Sequence, residues 1–202
     1  MTQKPRISLL RIAGLTALVS GVLWLETFGD FRQEMVSAPG RHPLPEFSLP
    51  VLNDGLFQGD TTIVRSEDLR GHITLLTFWS SWCQPCLAEH ASLLSLQREF
   101  QDEGLRVLGV LHQESPRNAL AWLKENPRIE LETVVGSRAF ATANGVIGIP
   151  TTLMVDRRGR VAEVFYGFRP DRHWEFRARV MPLLESRPLE ESPSATGEAP
   201  RT

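Results

Sequence analysis

The chain has 202 residues, of which 42% are hydrophobic and 23% are charged. This composition is ordinary for a globular protein, so it excludes a wholly disordered chain and a membrane protein with many spans. At about 150 residues per domain, the length allows one domain with extra segments at its ends. The net charge of −2 gives no excess of positive charge for phosphates, so nucleic acid is not an expected partner. The two cysteines, Cys83 and Cys86, cannot alone form a four-cysteine zinc site or a multi-disulfide scaffold.

The N-terminus has the pattern of a signal anchor. Lys4, Arg6 and Arg11 precede an uncharged, mostly apolar run at residues 12–25. Positive charge on the N-terminal side predicts that this side stays in the cytoplasm and that the rest of the chain is exported. We interpret residues 1–28 as an uncleaved transmembrane anchor. A cleaved signal peptide and a core helix of the domain are the alternatives.

The rest of the chain divides into three segments. Residues 29–42 resemble a linker, and residues 43–185 contain the periodic apolar patterns of a folded domain. Residues 186–202 are rich in Pro, Ser and Glu and have no apolar period, so we expect a disordered tail.

The predicted elements begin with two short strands near residues 47–49 and 62–64, on either side of a turn-rich segment. The apolar run 73–79 contains β-branched residues and predicts a strand buried on both faces. A helical pattern follows Pro85 and stops at Gly104, and the next buried strand is predicted at 107–111.

The second half of the predicted domain alternates helices and strands. We expect helices near residues 115–126, 137–145 and 170–184. We expect strands near residues 131–135, 151–155 and 161–168. The two neighbouring strands flank a turn and predict an antiparallel hairpin. The order predicts an α/β fold with a mixed central sheet flanked by helices, although an unrelated three-layer α/β domain has the same order.

The segment from Trp82 to Cys86 has the spacing of a redox motif. It lies where a buried strand ends and a helix begins, so Cys83 is expected at the helix N-terminus. Free N–H groups and the helix dipole favour a negative charge there, which should lower the pKa of the Cys83 thiol. Pro85 fits the first helical turn, and the spacing places Cys86 close enough for a disulfide. Cys83 can then attack a substrate disulfide, and Cys86 can resolve the mixed disulfide.

Other interpretations of this motif differ in chemistry. An inert structural disulfide is one alternative, although it would close only a very small loop. Copper or zinc binding is another, because His90 lies four residues after Cys86 and can share its helical face. Leu87 stands where a haem-attachment motif needs His, and Leu76 stands where a peroxidatic motif usually has Pro, so both of these functions are disfavoured.

The segment 77–90 resembles the active-site segment of the membrane-anchored thioredoxin-like reductases of the TlpA/ResA/DsbE group. It is most similar to the DsbE (CcmG) proteins of cytochrome c biogenesis, which commonly have Ala-Glu-His after the second cysteine, as at Ala88, Glu89 and His90. The segment 145–151 is similar to the family's loop before its cis-proline. The resemblance covers about residues 43–185 and implies a thioredoxin-like fold.

The resemblance also implies roles for single residues. Ile149 and Pro150 would form a cis peptide facing the cysteines and, with Thr151, would contact the substrate; an ordinary trans peptide is the alternative. Glu89 would lie beneath the cysteines and transfer protons, unless it is merely solvated. Trp82 would shield the cysteines and contact the partner, or only pack.

By resemblance, the protein is a periplasmic reductant attached to the bacterial inner membrane. Its redox-active disulfide Cys83–Cys86 needs no cofactor and no metal. The implied electron donor is a membrane thiol-disulfide reductase, and the implied substrate is the oxidised cysteine pair of apocytochrome c. Thr151 stands where DsbE proteins often have Glu, so a general TlpA-like reductase remains an alternative, and a copper metallochaperone is a further one.

Overall fold

The computed structural model of the protein describes residues 42–186, apart from residues 54, 56, 57 and 60. The predicted anchor lies outside these residues, as do nearly all of the predicted linker and tail. Among the described residues, no helix has both the length and the apolar character needed to cross a bilayer.

The described residues form seven strands and four α-helices. In chain order these are β1 (Ser48–Pro50), β2 (Ile63–Arg65), β3 (Ile73–Trp79), α1 (Gln84–Phe100), β4 (Leu105–Leu111), α2 (Pro116–Glu125), β5 (Thr133–Val135), α3 (Arg138–Ala143), β6 (Thr151–Val155), β7 (Val161–Tyr166) and α4 (Arg172–Glu185). This is the predicted order of elements. Short 3-10 turns follow β2 and α1.

The main sheet has five strands in the order β5-β4-β3-β6-β7. β3, β4 and β5 run parallel, whereas β6 is antiparallel to β3 and β7 is antiparallel to β6. β1 and β2 pair separately as a small antiparallel sheet. The prediction of a mixed sheet that ends in an antiparallel hairpin is therefore confirmed.

β3 lies at the centre of the sheet, and all seven of its residues are buried. This explains its continuous apolar sequence, because apolar clusters cover both faces of the sheet. The neighbouring strand contains Gly109, where space is limited. A Cβ atom there would lie 2.6 Å from Thr133 Oγ1 and 2.7 Å from Trp79 Nε1, so this position requires glycine.

Several predicted boundaries are wrong by one to two residues. β7 ends at Tyr166 rather than at residue 168, because Gly167 has a φ of 66° and turns the chain away from the sheet. α4 begins at Arg172 rather than at residue 170, and Asp171 is its N-cap. The predicted helix after Pro85 continues to Phe100, and Gly104 ends the following 3-10 turn with a φ of 90°.

Three strand ends meet at one edge of the sheet. The C-terminus of β3, the N-terminus of β6 and the C-terminus of β7 are adjacent, because Phe78 pairs with Thr151 and Thr151 pairs with Tyr166. The loop to α1, the loop before β6 and the loop to α4 therefore lie side by side. We refer to this region as the disulfide edge, since Cys83 follows β3 there.

Candidate active site at the disulfide edge

Cys83 and Cys86 form a disulfide at the start of α1, with their Cα atoms 5.3 Å apart. Cys83 is the N-cap of the helix, and the Cys86 backbone N–H donates a hydrogen bond to Cys83 Sγ at 3.3 Å. Pro85 lies in the first turn, as predicted. After reduction, the same N–H and the helix dipole would stabilise a Cys83 thiolate.

Both cysteine residues are almost completely buried. Cys83 is 4% exposed and Cys86 is 1% exposed. The exposure of Cys83 is small because the surrounding core covers most of its side chain. Of the two cysteines, Cys83 has the slightly larger exposed fraction.

Glu89 is a buried carboxylic acid on α1, three residues after Cys86. It is 2% exposed, so the alternative of a solvated surface charge is wrong. Burial raises its pKa to about 7, although a hydrogen bond from Thr152 and the positive charge of Arg172 act in the opposite direction. The Thr152 hydroxyl donates to Glu89 Oε1 at 2.9 Å. An acid with this pKa can give or accept a proton near neutral pH.

Arg172 is a buried cation that the sequence analysis missed. Its Nε atom lies 3.9 Å from Glu89 Oε2, and only 5% of its side chain is exposed. A sequence signal existed, since Arg172 precedes Phe176 by four residues and Val180 by eight. That period places all three on the buried face of α4, where both apolar residues are fully buried.

His90 is buried beside the active site as a neutral ring. It makes an edge contact with Trp79 at a centroid distance of 5.0 Å, and burial lowers its pKa to about 4. Both ring nitrogens are buried without a hydrogen-bond partner in the described region. No three His, Cys, Asp or Glu side chains converge as a metal site in the part of the chain that the structure describes. The copper-binding alternative therefore has no ligand set there.

The loop before β6 borders the same edge. The Ile149–Pro150 peptide is cis, as expected, and Ile149 packs against the core cluster that contains both cysteines. The Gly167 N–H donates to the Pro150 carbonyl at 2.9 Å, which joins this loop to the end of β7. Thr151 is 1% exposed and its hydroxyl donates to the Gly148 carbonyl, so its side chain is not available to a substrate.

The large exposed hydrophobic side chains of the described residues are concentrated at the disulfide edge. They lie after β3, before β6, at the end of β7 and in the first turn of α4: Trp82, Ile147, Tyr166, Phe168 and Trp174. Trp82, next to Cys83, is 57% exposed, so packing alone does not explain it.

Glu114 is a second residue that the sequence analysis missed. Its Oε2 atom accepts a hydrogen bond from the Ser81 backbone N–H at 2.8 Å, and its other oxygen accepts from the Ser81 hydroxyl. Glu114 follows β4, so it holds the loop between β3 and the disulfide from a neighbouring strand end. No local pattern indicates such a contact between distant segments.

Comparison with known proteins now identifies the family. Residues 41–176 match the AhpC/TSA family. The thiol:disulfide interchange protein DsbE of Escherichia coli K12 is 30% identical over 188 residues, which cover 90% of this chain and 95% of that protein. The chain belongs to the AhpC/TSA family and to its DsbE-type thiol:disulfide interchange proteins. DsbE of Pseudomonas aeruginosa is 27% identical over 165 residues, which cover 81% of this chain and 82% of that protein.

Solved structures agree with this assignment. A structure described as a thiol:disulfide interchange protein DsbE from Chlorobium tepidum has 25% identity and a TM-score of 0.63. The superposed residues cover 72% of this chain and 97% of the Chlorobium tepidum chain. The fold is therefore the expected thioredoxin-like α/β fold, and the protein is a thiol-disulfide oxidoreductase of the DsbE type. Cys83 and Cys86 are the only cysteines that can supply its redox-active disulfide.

Proposed function

We propose that this oxidoreductase is a reductant of the bacterial periplasm that reduces the disulfide of apocytochrome c before haem attachment. The observation that carries the proposal is the disulfide at the N-terminus of α1, with the buried acid Glu89 one helical turn behind it. A sulfur in that position is a stabilised thiolate once reduced, and its partner cysteine has a proton acceptor nearby.

The reaction has two steps. The Cys83 thiolate attacks one sulfur of the substrate disulfide, which forms a mixed disulfide and releases the other substrate sulfur as a thiolate that takes a proton. Cys86 then loses its proton to Glu89 and attacks Cys83 Sγ. The bond between Cys83 and the substrate breaks, the second substrate thiolate leaves, and two electrons have passed to the substrate. The structure shows the resulting oxidised state.

The oxidised enzyme needs two electrons before it can act again. An exported compartment has no general supply of reducing equivalents, so a membrane thiol-disulfide reductase is the proposed donor. Its first thiolate would attack Sγ of Cys83, the more exposed cysteine, and Cys86 would leave and take a proton from Glu89. A second thiolate of the donor would then attack the donor's own sulfur in this mixed disulfide, so that the Cys83 thiolate leaves and the donor keeps the new disulfide. The raised pKa of Glu89, about 7, suits both directions of proton transfer.

The exposed apolar side chains of the disulfide edge are the proposed docking surface for substrate and donor. Trp82 would contact the partner directly beside Cys83. The backbone of Ile149, in the loop before β6, would pair with an extended segment of the substrate, and Pro150 and Thr151 would hold this loop against the sheet. The position of this loop supports that role, since the sheet register brings it next to the end of β3.

The choice of apocytochrome c rests on the similarity of residues 88–90 to the DsbE proteins of cytochrome c biogenesis. The DsbE names of the relatives support the same choice. Thr151 departs from the Glu that such proteins often have, and its buried side chain adds no acidic group to the site. A general TlpA-like disulfide reductase is therefore the second candidate.

The proposed location follows from the sequence. Residues 1–28 would anchor the chain in the inner membrane, residues 29–42 would form a linker, residues 43–185 would be the catalytic domain and residues 186–202 a tail. The basic residues before the apolar run support a cytoplasmic N-terminus. Protease treatment of spheroplasts tests this placement, because only a periplasmic domain would be digested from outside.

The reduction potential tests the direction of electron flow. A reductant should have a potential near that of thioredoxin, about −270 mV. A potential near −120 mV is that of a strong oxidant and would reverse the proposed direction. Equilibration of the Cys83–Cys86 pair with glutathione buffers measures it.

A trapping experiment tests the substrate. The Cys86→Ser variant should form a stable mixed disulfide through Cys83 with an oxidised peptide containing the Cys-x-x-Cys-His segment of an apocytochrome c. The Cys83→Ala variant is the matched control and should trap nothing. Equal trapping rates with an unrelated peptide disulfide would support the general reductase instead, and no trapping with either peptide would contradict both.

A further inference from the structure

We propose that Arg172 is a positioning residue that increases the ionised fraction of the Glu89 carboxyl group, and the ionised form is the one that accepts the Cys86 proton. The proposal rests on the proton-transfer role of Glu89 described under the proposed function. Arg172 lies on α4, far from the cysteines in the sequence. Through Glu89 it would influence the step in which Cys86 attacks Cys83 and releases the substrate.

Arg172 is fixed in place by groups other than Glu89. Its Nη2 atom donates to the carbonyl oxygens of Tyr166 at 2.9 Å and of Gly167 at 2.7 Å. Its Nη1 atom donates to Glu175 Oε2 at 2.7 Å. The guanidinium is therefore anchored to the end of β7 and to its own helix, and its position does not depend on the state of Glu89.

Two aromatic rings complete this environment. The guanidinium carbon lies 5.6 Å from the ring centroid of Phe165 and 5.9 Å from that of Phe176. Both rings belong to buried residues. They exclude water from the cation and strengthen its electrostatic effect on nearby charges.

The Nε atom of Arg172 is the one that pairs with Glu89. The Nε atom is buried and has no hydrogen-bond partner among the described residues, and Glu89 Oε2 lies 3.9 Å away. This distance gives an ion pair but not a hydrogen bond. The positive charge of this buried guanidinium favours the state in which Glu89 carries a negative charge.

The groups packed around Glu89 have opposing effects on its charge. Burial is the largest and raises the pKa, and Glu175 raises it further, whereas the Thr152 hydrogen bond and Arg172 lower it. His90, the next residue on α1, is held neutral because burial lowers its pKa. Arg172 is therefore the cation that offsets the cost of an anion at this buried position.

The consequence lies in the resolving step. Only ionised Glu89 can take the proton of Cys86 while the Cys86 sulfur attacks Cys83 and the substrate thiolate leaves. Loss of the Arg172 charge would reduce the ionised fraction of Glu89 at neutral pH. The rate of this step increases with pH as Glu89 ionises. Without the Arg172 charge, this increase would occur at higher pH than in the natural protein.

The test is the pH dependence of a single turnover with a peptide disulfide, measured by Trp fluorescence in stopped flow. An opposite charge within about 4–6 Å usually shifts a carboxyl pKa by about 1–3 units. Arg172→Gln should therefore raise the midpoint of the pH–rate profile by at least about one pH unit. Arg172→Lys keeps the positive charge, so its midpoint should stay close to that of the natural protein. Glu175→Gln should move the midpoint down, because it removes a negative charge near Glu89.

Arg169→Gln is the matched control. Arg169 is exposed and pairs with Asp171, so its removal should leave the midpoint unchanged. Shifts of Arg172→Gln and Glu175→Gln in the same direction would indicate a structural effect and overturn the proposal. If Arg172→Gln does not fold, an unmoved midpoint in Glu175→Gln overturns it.

Glu89→Gln separates this proposal from the one on which it rests. If Glu89→Gln removes the pH dependence but Arg172→Gln leaves the midpoint where it was, only the role of Arg172 fails. If Glu89→Gln keeps the natural profile, the proton-transfer role of Glu89 itself is wrong.

Discussion

Replacement of Glu89 by Gln should remove a loss of stability that the oxidised protein undergoes as the pH rises. Glu89 is 2% exposed and burial raises its pKa from 4.5 to about 7. The native state therefore binds a proton more tightly than the unfolded chain does. The stabilisation that this proton provides is complete below pH 4.5 and is lost as the pH rises through 7. A neutral Gln has the same shape and no such loss.

The expected size follows from the pKa shift. A shift of one unit corresponds to about 1.36 kcal/mol, so the change from 4.5 to about 7 gives about 3 kcal/mol. Relative to the natural protein, Glu89→Gln should therefore gain about 3 kcal/mol of unfolding free energy between pH 4.5 and pH 7. Differences between variants are the useful quantity, because all other titrating groups cancel in them.

Urea unfolding of the oxidised proteins at half-unit steps from pH 4.5 to pH 8 measures this difference. The disulfide stays intact in every sample, so no thiol titration interferes. Glu125→Gln is a matched control, since it removes an exposed carboxylate from α2. A difference between Glu89→Gln and the natural protein that stays constant over this range would refute the buried-acid argument, and a decrease with rising pH would mean that the sign of the shift is wrong.

Three further predictions concern other sites. His90 is buried and neutral, and burial lowers its pKa from 6.5 to about 4. The natural protein therefore loses stability as the pH falls through this range, because only the unfolded chain binds the proton. His90→Leu lacks this loss and should gain about 3 kcal/mol of unfolding free energy relative to the natural protein. Glu114→Ala removes both hydrogen bonds from Ser81; urea unfolding should show a loss of about 1–3 kcal/mol, and single-turnover exchange should be slower. Gly109→Ala should cost about 1–3 kcal/mol in urea unfolding, whereas Gly148→Ala, which meets no atom within 4 Å, should be nearly neutral.

The site illustrates which features a sequence reveals. The apolar run of β3 and the Cys-x-x-Cys spacing with Pro85 predict a disulfide at a helix N-terminus, and the structure confirms both its partners and its place. These features depend on a few neighbouring residues and on the geometry of one helical turn. The cis peptide before Pro150 was implied by family resemblance, and the structure confirms it.

The electrostatics of the site depend on contacts between distant segments. Glu89 meets Thr152, which is 63 residues away in the sequence, and also Arg172 from the last helix. The small exposure of Cys83 likewise comes from the packing of other elements around it. No periodic pattern in α1 could reveal these neighbours.

The order of elements, the position of the cysteines at the start of a helix and the family resemblance can all be read from the sequence. Spacing and local backbone preference decide these features, and both are properties of neighbouring residues. The burial of the Glu89 carboxyl, its ion pair with Arg172 and its raised pKa all arise from the folded chain. The reason is physical: desolvation and charge pairing depend on every group that surrounds a side chain, and the folded chain brings those groups together from distant segments.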